Sequence, residues 1–399
     1  MKYITLLGST GSIGCNVLNI VKNDLSFFKI IALVARKNVP LIIKQCLFFK
    51  PKYVCMINKK SAKILKDYLN SIDSKIIVLS GIENACNVSI LNNINMVISA
   101  MSGTAGLLPT FSALKAGKRI LLASKEILVI CGKIFMQELK NNTTQLLPLD
   151  SEHSSIFQSL PIKFQKNLGK NNLKDFNISK IIITGSGGPF RKIKDSNLNY
   201  ITPEQAYNHP NWKMGKKISV DSATMINKGF EYIEARYLFN ANEKQIQLLI
   251  HPQSIVHSII YYNNGHISAQ LSYPDMKIYI YYAMYYPNFS NSQMKLLDLH
   301  SFNKLSFENI NFNKYPCLKL AIEAINTSQS AVIILNAANE VAVYAFINKL
   351  IKFTDIIIIN KLVLDKLYFL EPKDIQEVIY IYKTTKRFTR RIILTKFNK

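Results

Sequence analysis

With 399 residues, 48% of them hydrophobic and 11% aromatic, the chain can bury more than one core, which excludes a disordered polymer and implies about two or three domains. Its 50 Lys and Arg against 25 Asp and Glu leave a formal charge of +25. The basic residues are scattered among plentiful Asn, Ile and Tyr, a compositional drift rather than a stripe for nucleic acid, and a phosphorylated substrate and cofactor suit the excess.

In chain order, Met1 leads directly into an apolar strand, Tyr3 to Leu7, which predicts no signal peptide. Gly8-Ser9-Thr10-Gly11-Ser12-Ile13-Gly14 follows, then a helical pattern through Val17, Leu18, Ile20 and Val21. Strand, glycine turn and helix form the setting a dinucleotide fingerprint requires. The glycines let the backbone approach a pyrophosphate, and the helix N-terminus favours its charge. The next strand, Lys29 to Ala35, ends at Arg36-Lys37-Asn38. Asp or Glu there would suit the ribose hydroxyl of NAD, whereas two cations suit the 2′-phosphate of NADP; the plainer alternative is a solvated strand end.

Short strands at Tyr53 to Ile57, Lys75 to Leu79, Met96 to Ala100 and Ile120 to Ala123 alternate with helical stretches and predict a doubly wound parallel sheet. Ile94 to Leu114 carries no charge, but Ser99, Ser102, Gly103, Gly106 and Pro109 interrupt it, so no membrane span is expected. Ser124-Lys125-Glu126 closes a strand where ligands gather; it is either a surface ion pair or a substrate contact. Leu146-Leu147-Pro148-Leu149 then runs into Asp150-Ser151-Glu152-His153. If the chain stays extended, both carboxylates point to one side and call for a hard cation, Mg²⁺ or Mn²⁺, between them. The alternative is an acidic helix start capped by Ser151.

A second domain follows. Lys180 to Ile183 reads as a strand entering Thr184-Gly185-Ser186-Gly187-Gly188-Pro189, which is a backbone nest for an anion or merely a tight turn. The only Trp, Trp212, lies in a loop between Pro210 and Gly215, as a lid or a minor core residue. Asp221 to Glu231 is a second cluster; on a helix, Asn227 and Lys228 lie four and three residues before Glu231, so all three share a face. Ser222, Asn227 and Lys228 suit a phosphate, and Glu231 suits a third metal oxygen; a solvated salt bridge is the rival. His251 and His257 read as structural, and Tyr279 to Tyr286 as an aromatic packing or dimer face. Asn336, Asn339 and Glu340 read as residues that satisfy buried backbone or tie elements together. The six cysteines form no C-x-x-C pair and read as reduced core residues of a cytoplasmic protein.

Several motifs occur together and in order: G-S-T-G-S-I-G from Gly8, D-S-E-H from Asp150, T-G-S-G-G-P-F from Thr184, H-P-N-W-x-M-G from His209, S-V-D-S-A-T-M-x-N-K-G-x-E from Ser219 and L-N-A-A-N-E from Leu335. The chain closely resembles the 1-deoxy-D-xylulose 5-phosphate reductoisomerase family. The resemblance implies an α/β architecture: an N-terminal Rossmann-like, doubly wound NADPH-binding domain over residues 1–150 and a central α+β catalytic and dimerisation domain with a flexible lid over 151–287. A linker over 288–313 and a C-terminal α-helical bundle over 314–399 complete it. It further implies NADPH-dependent rearrangement and reduction of 1-deoxy-D-xylulose 5-phosphate to 2-C-methyl-D-erythritol 4-phosphate by a cytoplasmic homodimer, with no nucleic-acid or membrane partner.

By the same resemblance, Asp150, Glu152 and Glu231 bind one Mg²⁺ or Mn²⁺ ion. Ser186, Ser222, Asn227 and Lys228 hold the substrate phosphate with His209 nearby. Lys125 and Ser151 meet the reacting end, and Trp212 and Met214 belong to the lid. Thr10, Gly11, Ser12, Ile13, Arg36, Lys37, Asn38, Ser124, Glu126 and Gly215 line the NADPH site. Ser124 and Arg36 stand where the family usually has Asn and Gly, and Lys277-Ile278-Tyr279 replaces a usual Arg-Thr-Pro. The main rival is another NADP-dependent dehydrogenase of two domains, such as one acting on an amino-acid semialdehyde; it would not explain the three carboxylates, and one of the acylating kind would also need an activated Cys.

Overall fold

The structure, a computed structural model, describes residues 1–208, 215–288 and 294–397. The chain forms two compact units. The first comprises Met1–Ile127, Phe135–Lys170 and Asp275–Met294; the second comprises Leu128–Ile134, Asn171–Pro274 and Lys295–Lys399. Compactness therefore groups Ser151–Lys170 and the Asp275–Met294 segment with the N-terminal strands, across the chain-order divisions expected at 150 and 287.

The first unit is built on seven strands: β1 (Lys2–Leu7), β2 (Phe28–Ala35), β3 (Tyr53–Met56), β4 (Ile77–Ser80), β5 (Met96–Ser99), β6 (Arg119–Leu122) and β7 (Leu146–Pro148). All neighbours pair in parallel, in the order β4-β3-β2-β1-β5-β6-β7. A parallel sheet is covered on both faces, so its strands need continuous rather than alternating apolar runs. Ile30 to Ala35 and Met96 to Ile98 are such runs, and every residue in them is buried. Strand order reverses at β1, which makes the β1/β5 carboxyl edge the topological switch where a doubly wound sheet takes its ligand. The expected Rossmann-like domain is present.

The tyrosine-rich helix Met276–Tyr285 serves as packing in this unit. Tyr279, Ile280, Ala283 and Met284 are buried, Tyr285 stacks on Phe27, and its hydroxyl donates to Asp24 Oδ2 at 2.7 Å.

The second unit carries a mixed sheet of β8 (Ile178–Gly185), β9 (Ile246–Ile250), β10 (Val256–Tyr262) and β11 (Ile267–Leu271), in the order β11-β10-β8-β9. β8 and β9 are parallel; β10 runs antiparallel to both β8 and β11. Helices Pro316–Thr327, Gln329–Ile347, Asp355–Lys366 and Ile375–Ile392 supply the helical layer. Among the described residues, Gln329–Ile347 is the one helix long and apolar enough to cross a membrane by length and composition. Yet 78% of that window is buried inside the protein, as befits a core helix. The stretch before these helices is tied to the sheet, since Glu308 and Ile250 exchange backbone hydrogen bonds at 2.8 and 2.9 Å.

Candidate active site

The first cluster lies at the carboxyl edge of the parallel sheet. Gly8 and Ser9 donate their backbone N–H groups to Val34 O at 2.8 and 3.0 Å, which pins the glycine turn to β2. Gly8 has φ +87°, and a Cβ there would sit 2.3 Å from Ala100 O, so only glycine permits the approach of β1 to the end of β5. Gly14 is equally tight, 2.3 Å from Gly8 O. Helix Ser12–Asn23 begins at Gly11 with no side-chain cap and no acidic residue in its first turn. Its leading N–H groups are therefore open to a diphosphate, and the residues fit a dinucleotide.

Arg36, Lys37 and Asn38 are exposed at the end of β2, and Asn38 caps helix Val39–Phe49 through Leu41 N at 3.2 Å. Nothing acidic stands in that turn, which suits a 2′-phosphate. Ser124, at the end of β6, is buried and donates to Met101 O at 2.6 Å, so its hydroxyl joins two strand-end loops. Glu126 opens the following helix.

At the end of β7 the structure corrects the extended-strand reading. The strand stops at Pro148, and Asp150 is the N-cap of helix Ser151–Ser159, accepting from Ser151 N at 3.0 Å. The two acids thus share a helix start rather than a strand face. The cap is Asp150 rather than Ser151, and its carboxylate also lies favourably beside the positive end of the helix dipole. Asp150 Oδ2 also meets Lys125 Nζ at 2.5 Å, and Ser151 Oγ donates to Glu152 Oε2 at 2.5 Å. The Lys125–Asp150 pair joins two strand ends and is largely buried, so the surface-pair alternative for Lys125 does not hold.

The second cluster lies at a corner of the second unit. Helix Lys216–Ala223 ends beside Ser222, and helix Ile226–Leu238 starts after Met225, whose φ of +60° makes the turn. That second helix has no side-chain cap and no acid in its first turn, which holds Asn227 and Lys228. A helix start with an amide and an ammonium in its first turn, its first N–H held by Thr224 Oγ1 at 3.4 Å, suits a phosphate. One turn on, Glu231 accepts from Asn227 Nδ2 at 2.6 Å and from Lys228 Nζ. Lys228 and Glu231 are 5% and 2% exposed, so this is no solvated salt bridge.

The Ser186 loop is brought to the same corner. A Cβ on Gly185 would lie 2.7 Å from Lys228 Cε, and one on Gly188 would lie 2.7 Å from Ser222 O. Gly188 N donates to Ser186 Oγ at 3.2 Å. Gly215 is the exposed N-cap position of helix Lys216–Ala223. His209, Trp212 and Met214 lie outside the described residues.

His251 is buried, with Nδ1 2.9 Å from Ser306 O and its ring stacked on Phe307, and burial lowers its pKa. That agrees with a structural role. Burial pushes the Cys46, Cys55 and Cys317 thiols up to about 12, and it raises Cys15 and Cys86 as well. A raised pKa disfavours the thiolate, so none of these five offers the activated nucleophile that acylating dehydrogenase chemistry needs. Sequence reading did not find Asp221, whose buried carboxylate is bound by Asn339 and Lys217. Its only local signal was a Lys four residues earlier on the same helix.

A Rossmann-like sheet with an open glycine turn, and a mixed sheet with a basic helix start, define an α/β protein of the dinucleotide-fingerprint class. The profile of the 1-deoxy-D-xylulose 5-phosphate reductoisomerase family matches residues 4–132, that of its C-terminal domain matches 146–239, and a further DXP reductoisomerase C-terminal domain matches 271–388. The chain belongs to this family. It is 53% identical over 386 residues to the 1-deoxy-D-xylulose 5-phosphate reductoisomerase of Buchnera aphidicola subsp. Schizaphis graminum, covering 97% of both chains. It is 50% identical over 394 residues to that of Wigglesworthia glossinidia brevipalpis, covering 98% of this chain and 99% of the relative. A crystal structure of DOX-P reductoisomerase in complex with NADPH, fosmidomycin and magnesium superposes with a TM-score of 0.95 at 36% identity, covering 99% of this chain and 98% of that one. The reductoisomerase of Zymomonas mobilis in complex with NADPH gives a TM-score of 0.89 at 32% identity, with 98% of each chain covered.

Proposed function

We propose that this chain converts 1-deoxy-D-xylulose 5-phosphate to 2-C-methyl-D-erythritol 4-phosphate, using NADPH and one divalent cation, in isoprenoid precursor synthesis. The observation that carries the reading is membership of one family at about half identity over nearly the whole chain. Fold alone would not suffice, because doubly wound sheets serve many reactions.

The proposed roles follow from the chemistry of each group. The open start of helix Ser12–Asn23 takes the NADPH diphosphate through Thr10 to Ile13, and Arg36, Lys37 and Asn38 take its 2′-phosphate. Ser124, Glu126 and Gly215 line the remainder of that site. Asp150, Glu152 and Glu231 are the ion ligands; an all-carboxylate set selects hard Mg²⁺ or Mn²⁺ over softer metals. When bound, the cation polarises substrate oxygens and NADPH supplies the reducing equivalent.

The chain's own residues do the rest. Ser186, Ser222, Asn227 and Lys228 hold the phosphate, with His209 and Trp212 assigned beside the substrate. This orients the reacting carbons and draws on binding energy remote from them. Lys125 donates to a substrate oxygen where negative charge develops, and Ser151 donates beside it. Residues 1–150 serve the cofactor, 151–287 the substrate and the dimer contact, and 314–399 the helical support, with 288–313 joining them.

The deciding assay follows NADPH absorbance. Oxidation is expected only with both deoxyxylulose phosphate and a divalent ion, to stop in excess chelator, and to return with Mg²⁺ or Mn²⁺. Turnover that persists in chelator, or none with this substrate, would sink the reading. We also assign a cytoplasmic homodimer; sedimentation should give twice the 45.4 kDa chain mass, and a monomer at working concentration would contradict it.

A further inference from the structure

Behind the phosphate corner lies a chain of buried polar groups that none of these roles uses. Asp221 precedes Ser222 in helix Lys216–Ala223, and it is 2% exposed. One carboxylate oxygen accepts from Asn339 Nδ2 at 2.8 Å, across 118 residues of sequence, and the other accepts from Lys217 Nζ at 2.9 Å. Asn339, in the core helix Gln329–Ile347, accepts in turn from Asn360 Nδ2 at 3.2 Å. Both asparagines are fully buried.

Such a network is an unusual way to fill a core. Apolar residues of similar volume are commonly as stable or more so, and the best-attested use of buried polar groups is to fix register. What this network fixes can be traced atom by atom. The Asp221 carbonyl accepts from Thr224 Oγ1 at 3.2 Å, and the same hydroxyl accepts from Ile226 N at 3.4 Å. Ile226 is the first residue of the helix whose next two residues are Asn227 and Lys228. The network therefore reaches the phosphate site from both ends of the turn, through Ser222 on one side and the helix start on the other. The turn has no slack toward Gly188, where even a Cβ would lie 2.7 Å from Ser222 O.

We propose that Asn339 and Asn360 are positioning residues that act through Asp221 to hold Ser222 and the start of helix Ile226–Leu238 in register for the substrate phosphate. The proposal rests on the phosphate reading above. An error of about 1 Å in such a grip can cost about a hundredfold, which gives a distant amide leverage on binding.

The test compares Asn339→Leu, Asn360→Leu and Lys228→Met in the full-length enzyme. It reads KM for deoxyxylulose phosphate, kcat, the inhibition constant of inorganic phosphate, the NADPH dissociation constant and Tm. Asn339→Leu should raise KM and the phosphate inhibition constant together, by about 10–100-fold, while kcat falls less than about threefold and NADPH affinity stays within about twofold. Asn360→Leu keeps the Asn339–Asp221 bond and should move both constants the same way by a smaller factor; it decides alone if Asn339→Leu does not fold. A filler role would lower Tm and leave both constants in place, and folded variants with unchanged constants overturn the proposal. If Lys228→Met moves the constants and the asparagine variants do not, only this inference falls. If Lys228→Met also leaves them unmoved, the phosphate reading falls with it.

Discussion

Glu231→Gln is expected to lower kcat by roughly a thousandfold, about 4 kcal/mol of transition-state stabilisation, while NADPH affinity stays within about twofold. The substitution keeps shape and removes one charge. A neutral amide is a poor ligand for a hard cation, so the proposed ion would lose one of three carboxylates. The dinucleotide fingerprint, from Gly8 to Asn23, is a separate piece of chain in the first compact unit, whereas Glu231 belongs to the second. There is a second consequence. Glu231 accepts from Asn227 and from the buried Lys228, and the amide cannot compensate the ammonium. Leaving one partner of a buried pair uncompensated costs about 3–5 kcal/mol of stability, so turnover has to be compared well below the variant's Tm. Steady-state kinetics at saturating Mg²⁺ and a fluorescence titration with NADPH separate the two effects. Equal loss of turnover and of NADPH binding would contradict the assigned role.

The contrast between what was legible in sequence and what was not has a physical pattern. The parallel sheet was readable because strands covered on both faces are continuous apolar runs, as in Ile30 to Ala35. The glycine turn and the Asn227–Lys228–Glu231 cluster were readable because each is local: Gly8 to Gly14 is one stretch, and the latter three residues share one helical face. The end of β7 misled because Leu149 continues an apolar run past Pro148, while Asp150 and Ser151 are both good caps, so composition alone could not choose between them. Lys125 with Asp150, and Asp221 with Asn339, come from distant segments, and no periodicity links them. Grouping Ser151–Lys170 with the N-terminal strands is likewise a property of packing, not of chain order.

Lys228→Met should raise KM for the phosphorylated substrate by about a hundredfold or more, since truncating one partner of a buried, charge-assisted contact costs about 2–5 kcal/mol. Lys228→Arg should not restore it. A Cβ on Gly185 would already stand 2.7 Å from Lys228 Cε, so the longer guanidinium has no room to reach the same point. The double variant, Glu231→Gln with Lys228→Met, discriminates more sharply still. In stability the two changes should be strongly non-additive, because each single change leaves the other charge buried and the double change leaves neither. Much of the lost Tm should therefore return. Turnover should not, because the phosphate has lost its cation and the proposed ion one of its oxygens. If the double variant recovered activity along with Tm, the pair would be a structural salt bridge, and the catalytic roles given to both residues would have to be withdrawn.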